Sequence, residues 1–340
     1  MASECKSRSA DPVVGIVIPC FNEEQVVPRL IESLTAFLDS LLYSGRVIFV
    51  NDGSKDATAR LLDAACAADA RFGCLHFSRN FGHQLAVSAG LAALDTDVVC
   101  VLDADLQDPP EALLEMLQRW KEGYDVVYGV RRNRKEGLLL RTAYAGYYRL
   151  LKYVSHVDLP LDAGDFCVMD RRVVAMLNEM PEHNRFVRGL RGWVGFRQIG
   201  VPYDRQGRAA GTSKYNLSRL SKLALDGLIG FSSAPLRLAT WLGVAASVMG
   251  FGLLVWAVAQ ALFYKETPSG WASLAVMILF FGGIQLLMLG IIGEYVGRIF
   301  DEVKQRPNYV ISSRSGWVKP ARMQSEQNKC DSVAAGEPLQ

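Results

Sequence analysis

The sequence predicts an α/β protein: a mostly parallel sheet with helices on both faces, followed by interfacial helices and two transmembrane helices. Three observations predict it. Short apolar runs alternate with longer helix-like stretches up to about Gly211, acidic clusters follow the ends of several runs, and two long segments near the C-terminus contain no Asp, Glu, Lys or Arg. The 340 residues carry 37 basic and 35 acidic side chains, a formal charge of +2, with 21% charged residues and a mean hydropathy of +0.12. Soluble domains are about 25% charged, so apolar segments dilute the charge. The near-neutral balance argues against a nucleic-acid binder held by broad electrostatics. The apolar content and the absence of periodic glycine exclude a disordered or collagen-like chain.

A polar N-terminal tail comes first. It has no apolar signal core, so no secretory signal is expected. Five strand-like runs follow, at Val13–Pro19, Arg46–Val50, Gly73–Phe77, Asp97–Leu102 and Asp125–Gly129. Between the first four lie helix-like stretches at Glu24–Leu42, Asp56–Ala70 and Gln84–Leu94. Short buried strands alternating with helices imply a parallel sheet covered on both faces. Ligands of such sheets bind outside the carboxyl ends of the strands.

Those ends are acidic. The first strand runs into Cys20-Phe21-Asn22-Glu23-Glu24, the second into Asn51-Asp52-Gly53-Ser54, and the fourth into Asp103-Ala104-Asp105-Leu106-Gln107-Asp108. Any one of these could be an ordinary helix cap. Several on one rim need an offsetting cation or donor, because clustered carboxylates repel. Mg²⁺ or Mn²⁺, which accepts one or two carboxylates plus phosphate oxygens, meets that need. Gln107 could add a carbonyl oxygen.

Basic residues suit phosphate. Arg131 and Arg132 follow the fifth strand, with a later cluster at Arg208, Ser213 and Lys214. Arg131, Arg132 and Arg134 could equally be a solvated basic loop. His76, His83, His156 and His183 lack metal-ligand spacing and read as structural, with His83 left open. The seven cysteines show no CxxC pair, consistent with reduced, buried thiols.

Around Thr212–Leu236, Leu217, Leu220, Leu223, Ala224, Leu228 and Phe231 recur at helical spacing. This fits a helix lying on an anionic leaflet or packed on the preceding domain. The uncharged runs Leu238–Tyr264 and Pro268–Gly293 each exceed the ~20 residues that cross a bilayer. Arg219, Lys222 and Arg237 precede them, Arg298, Lys304, Arg306 and Arg314 follow, and only Lys265 lies between, which puts both flanks in the cytoplasm. Gly243, Gly250, Gly252, Gly282, Gly283 and Gly290 permit close helix packing, compatible with a homo-oligomer.

With VIPCFNEE, NDGSKDAT and DADLQDPPE on the page, the sequence resembles the GT-A, Rossmann-like glycosyltransferases of family 2. The two spans make it similar to polyprenyl-phosphate glycosyltransferases, such as bactoprenol glucosyltransferases and dolichyl-phosphate mannose synthases. The resemblance implies Pro19, Asn22 and Glu23 against the nucleotide base and ribose, and Asp52 reading the base. It puts Asp103 by nucleotide and metal, Asp105 and Gln107 as metal ligands, and Ser78–His83 beside the donor. Asp162 and Asp165 belong to the acceptor side, with Asp165 preferred as the one nearer the reacting centre. Arg131, Arg208, Ser213 and Lys214 would hold phosphates. The implied domains are a tail at 1–11, a cytoplasmic catalytic domain at 12–211, a juxtamembrane region at 212–236, two transmembrane helices at 237–297, and a cytoplasmic tail at 298–340, disordered after about 315.

The implied activity is inverting transfer of a sugar, UDP-glucose being the favoured donor and GDP-mannose or UDP-GlcNAc the alternatives, onto undecaprenyl phosphate at the bacterial inner membrane. A phosphate acceptor is already anionic near neutral pH, its second pKa being about 6, so positioning and electrostatics outweigh base catalysis. A processive synthase would carry QxxRW, and Gln118-Arg119-Trp120 lacks that spacing. A nucleotidyltransferase would need a Gly-rich phosphate loop near the N-terminus, which is absent. A non-catalytic anchor or scaffold would be expected to lose the acidic motifs, and all are intact.

Overall fold

The computed structural model describes residues 8–131, 163–183, 185–204, 234–259 and 270–318. It divides into two compact units, one holding the sheet and its covering helices, the other a pair of long helices.

The first unit is built on strands β1 (Val14–Cys20), β2 (Gly45–Asn51), β3 (Phe72–Phe77), β4 (Val98–Val101), β5 (Val126–Arg131), β6 (Ala163–Asp170), β7 (Gln198–Tyr203) and β8 (Ile311–Gly316). Its helices are α1 (Val27–Ser40), α2 (Thr58–Ala68), α3 (His83–Ala93), α4 (Ala112–Lys121), α5 (Arg171–Glu179) and α6 (Val187–Trp193). The strand order is β7-β5-β6-β4-β1-β2-β3-β8. β1 pairs in parallel with β2 and β4, and β2 with β3, so the ends that carry the acidic motifs share one rim.

The sheet is mostly parallel, as expected, with two antiparallel strands. β6 lies antiparallel between β4 and β5, and β8 closes the β3 edge antiparallel. Neither strand stands out by composition: β6 begins Ala-Gly-Asp, and β8 is the polar segment ISSRSG.

All seven residues of β1 are buried. Alternate residues point to opposite faces. Val14, Ile16 and Ile18 join Leu30, Leu34 and Phe37 of α1, Leu62 of α2, and Leu113 and Trp120 of α4 in one core. Burying each such aliphatic side chain contributes ~1.5–3 kcal/mol. On the other face α3 lies close because Gly90 has no side chain: a Cβ there would come within 2.3 Å of Val17.

The polar tail is docked from Arg8 onward. Arg8 bonds the Tyr124 carbonyl at 2.7 Å, pairs with Asp125 at 3.3 Å, and its guanidinium sits 4.6 Å from the centre of the Trp120 ring. At the other end, residues 311–316 are a strand and Trp317 is also placed, within the stretch the sequence read as a tail turning disordered near 315.

The second unit comprises α7 (Ala234–Ala259) and α8 (Trp271–Val303). Gly243 lies opposite Met288, and Gly250 opposite Phe281, so the two helices pack antiparallel. Gly252, Gly282, Gly283 and Gly290 face open space, so of the predicted small-residue stripe only Gly243 and Gly250 serve this contact. Among the described residues one stretch, Phe280–Val303, is long and apolar enough to cross a membrane; Ala239–Leu253 is a shorter apolar stretch. Both helices fall on the segment 237–297 that the sequence read as two transmembrane helices, and α8 continues past it to Val303. Large apolar side chains on both helices are exposed, Trp241, Phe251, Leu286 and Ile299 among them.

Candidate active site

The first two motifs brace each other. The Asn22 side-chain oxygen accepts from Lys55 N at 2.9 Å, and Ser54 Oγ accepts from Asn22 N at 3.0 Å. Glu24 accepts from Ala57 N at 2.9 Å, while Thr58 Oγ1 and Asp56 accept from Glu23 N and Glu24 N. Asn22 holds a left-handed φ of 55°, tolerable for Asn, which turns the chain sharply after β1. None of α1, α2 or α3 has a side-chain cap, so these acidic residues are not helix caps; that role falls to Asp170, which accepts from Arg172 N.

Asp52 is a loop clamp. Its carboxylate accepts from Phe81 N at 2.7 Å, Gly82 N at 2.9 Å and the Asn80 amide at 2.9 Å. Burial raises its pKa above the ordinary aspartate value, against the two backbone donors. Gly53 has φ +66° and a Cβ there would strike the Arg79 carbonyl carbon at 2.3 Å, so only glycine lets loop 78–82 close over it.

Beside this clamp is a cavity of about 400 Å³, lined at the strand ends by Pro19, Glu23, Asp52, Asn80, His83, Asp103 and Asp105, among others. His83, the first residue of α3, stands between two carboxylates, its Nε2 3.7 Å from Asp103 and 3.5 Å from Asp165. Asp165, which β6 delivers beside β4, is also 3.3 Å from the Arg188 guanidinium and 3.3 Å from the Gln84 amide. The other end of Gln84 accepts from Val187 N at 2.9 Å, tying α3 to α6.

The electrostatics separate these carboxylates. Burial alone would raise Asp165, but Arg188, the His83 hydrogen bond and Arg191 outweigh it and hold this carboxyl far below the usual range. Burial pushes Asp103 up to about 6, helped by the charges of Asp165, Asp108 and Asp105 and opposed by His83. For His83 burial works against the charged form, yet the hydrogen bond it donates to Asp165 and the two carboxylate charges raise its pKa.

On this rim Asp103 Oδ1, which lies 3.7 Å from His83 Nε2, and Gln107 Oε1 are buried without a hydrogen-bond partner. Orphaned oxygens of this kind suit a hard cation. Asp105 lines the cavity, and its Oδ1 accepts from Gln107 N at 3.1 Å. Among the described residues no three carboxylate, imidazole or thiol groups are grouped so as to hold a metal ion. Behind Asp103, Arg131 hydrogen-bonds Tyr203, whose hydroxyl donates to buried Asp108.

A family model described as glycosyl transferase family 2 matches residues 15–177, and one described as the GtrB C-terminal hairpin matches residues 234–299. The chain is 44% identical to the uncharacterized glycosyltransferase YkcC of Bacillus subtilis over 92% of its length and 97% of that protein. It belongs to glycosyl transferase family 2. It is also 38% identical to the SfII prophage-derived bactoprenol glucosyl transferase of Shigella flexneri, over 88% of this chain and 97% of that one. With the prophage bactoprenol glucosyl transferase homolog of Escherichia coli the identity is 37%, over 88% and 98%.

Within this family 2 site, Pro19, Glu23, Asp52, Asp103 and Asp105 line one cavity. Asn22 braces the loop instead, Gln107 is buried beside Asp105, and Arg131 joins the Tyr203–Asp108 group. Asp162, Arg132, Arg134, Arg208, Ser213 and Lys214, and most of the 212–236 segment, lie outside the described residues. Sequence reasoning missed Gln84, Arg188, Arg191, Asp108 and Tyr203. A signal existed for the arginines: Arg185, Arg188 and Arg191 recur at helical spacing. The structure divides them. Arg185 binds the Leu177 and Met180 carbonyls at the end of α5, Arg188 pairs with Asp165, and buried Arg191 reaches the Gly164 carbonyl beneath the Tyr128 ring.

Proposed function

We propose that this protein transfers a sugar from a nucleotide donor onto a polyprenyl phosphate with inversion at the anomeric carbon, glucose from UDP-glucose being the favoured case. One observation carries the reading. Asp103 and His83 line a cavity at the carboxyl rim of the sheet, and His83 leads from it to the Asp165–Arg188 pair, in a chain 38% identical to a bactoprenol glucosyl transferase. In this reading the cavity takes the nucleotide sugar, with Pro19 and Glu23 against the nucleoside. Asp52 acts by holding loop 78–82 closed, so that His83 is fixed at the start of α3.

Asp103 and Asp105, with Gln107 beside them, would hold Mg²⁺ or Mn²⁺, which supplies positive charge to a leaving diphosphate when bound. The charge state of Asp165 decides its own role. A carboxyl paired with Arg188 and His83, and held below the usual range by them, is a poor proton acceptor. It suits steadying the positive charge that grows on the sugar ring as the donor bond breaks. Arg188 balances that anion, and Gln84 keeps its orientation. The acceptor phosphate monoester arrives already ionised and attacks C1 directly, and the nucleoside diphosphate leaves from the opposite face.

The exposed apolar surfaces of α7 and α8 support membrane association, because patches this extensive mark lipid or partner contact. Both helices crossing the bacterial inner membrane, with the sheet unit and both termini cytoplasmic, is part of the proposal and rests on the basic residues that flank them.

The test uses membranes carrying the full chain, with radiolabelled UDP-glucose, UDP-GlcNAc or GDP-mannose and Mg²⁺ or Mn²⁺. Label is expected in an organic-extractable, mild-acid-labile lipid, and its donor identifies the sugar. If no donor labels lipid the transferase reading fails, and if Asp105→Ala keeps full activity the metal assignment fails.

A further inference from the structure

We infer that the strand following the helix pair is a positioning element of the catalytic site, with Tyr309 its key positioning residue; this rests on the reading of loop 78–83 as donor-side. Only a short stretch of chain separates α8 from this segment, which then adds β8 to the open edge of β3. An edge strand needs no further task than covering exposed backbone. This one reaches the site along two separate routes.

The first route is aromatic. Tyr309 stacks on Phe77 with ring centres 5.0 Å apart and planes 14° from parallel. Phe77 in turn meets Phe81 edge-on at 5.6 Å. Phe81 is the residue whose backbone N–H binds Asp52, two positions before His83. Ser78 N donates to the Val310 carbonyl at 2.9 Å, pinning the start of the loop to the same segment. Loop 78–82 is therefore held from below by Asp52 and from the side by Tyr309.

A second route is polar. Ser315 Oγ hydrogen-bonds Asp63, which lies 3.1 Å from His76 Nε2, and His76 Nδ1 lies 3.0 Å from the Asn51 amide nitrogen. The amide can only donate, so His76 carries its proton on Nε2 and donates it to Asp63. Asn51 Oδ1 accepts from Ser54 N at 3.1 Å, inside the NDGS turn. Both routes end on the two loops that frame Asp52.

The segment is anchored firmly enough to act this way. Trp317 Nε1 donates to the Val47 and Arg71 carbonyls at 3.2 and 3.1 Å. Gly316 sits at φ +72°, where a Cβ would meet the Phe72 carbonyl oxygen at 2.2 Å. The strand is thus fixed in register at its far end, and Tyr309 is delivered to Phe77 at its near end.

The experiment compares the full chain in detergent with Tyr309→Leu and Tyr309→Phe, by amide hydrogen exchange across residues 78–83 and by KM and kcat for the labelled donor. Tyr309→Leu is expected to speed exchange of these amides and to raise KM, each about two- to tenfold, the range an aromatic pair represents. The kcat should change by less than about twofold, because the positioned loop is donor-side. Tyr309→Phe should restore both. Ser315→Ala, which leaves the aromatic stack intact, should loosen residues 51–54 instead. Should Tyr309→Leu fail to fold, Tyr309→Met makes the same comparison. Unchanged exchange and KM in a variant that melts with the wild type overturns the inference, as does a loss of kcat alone. Faster exchange in a chain that labels no lipid upholds the strand's role in ordering the loop and counts against the transferase reading instead.

Discussion

The rim of the sheet has two halves with similar sequences and opposite electrostatic organisation. At the ends of β1 and β2, acidic and amide side chains are consumed by backbone donors: Asn22 by Lys55 N, Glu24 by Ala57 N, and Asp52 by Phe81 N and Gly82 N. At the ends of β4 and β6, Asp103 and Gln107 keep buried oxygens without hydrogen-bond partners, and Asp165 faces His83 and Arg188. The first half fixes the backbone. The second holds charge ready for a ligand. An Asp at a strand end is therefore a clamp or a chemical group according to what donates to it, and the motif alone does not say which.

Substitutions should separate the two halves. The largest effect is expected from Asp165→Asn, which removes the anion and leaves Arg188 and His83 uncompensated. Transfer to lipid should fall about 10²- to 10³-fold, the scale of a lost transition-state electrostatic contact, in a protein that still melts cooperatively. Near-normal transfer would break the division.

Asp103→Asn should abolish most transfer as well, yet raise stability. The sign follows from its raised pKa. Between about pH 4 and 6 the folded state binds the proton that the unfolded state has released, so stability attributable to Asp103 falls as pH rises through that window. A neutral amide escapes that penalty, and without divalent cation at pH 7 the melting temperature should rise by about 2–4 °C. Asp165 behaves oppositely: its stabilisation is present above the unfolded aspartate pKa and is lost as pH falls below it. A melting-temperature profile of wild type and both variants in EDTA checks both signs.

Asp52→Asn should do the reverse of Asp103→Asn. Relief of its buried charge works in the same direction as for Asp103. An amide, however, offers one oxygen where the carboxylate offers two, and leaves the Phe81 or Gly82 N–H facing an NH2 group. Stability should therefore fall by about 1–3 kcal/mol by denaturant unfolding, while kcat stays within about threefold. Asn22→Ala is the smallest: about 0.5–1.5 kcal/mol from one backbone hydrogen bond, with added strain from an alanine at positive φ and little change in transfer. A loss of kcat in either variant beyond these limits would move the β1–β2 half into the chemistry.

The parallel core was legible because its signals are local. Val14–Cys20, the VIFV segment 47–50 of β2 and the FGCL segment 72–75 of β3 are apolar runs, as strands buried on both faces require. The acidic motifs were legible for the same reason, and so were the uncharged runs Leu238–Tyr264 and Pro268–Gly293 that overlap α7 and α8. His83 was singled out from its position in SRNFGH but without a partner, since its partners are far along the chain.

Composition and short-range pattern by themselves determined the α/β class, the acidic rim, the apolar helices and the resemblance to family 2. Tertiary structure alone decided which carboxylates remain available. Asp165 reaches His83 only because β6 inserts antiparallel beside β4, and Arg188 only because Gln84 ties α6 to α3. It also decided that the segment after the helix pair returns as β8 to the edge of β3. The physical reason is that pKa and hydrogen-bond satisfaction are set by neighbours across the sheet, and those neighbours have no periodicity in the chain for a sequence to display.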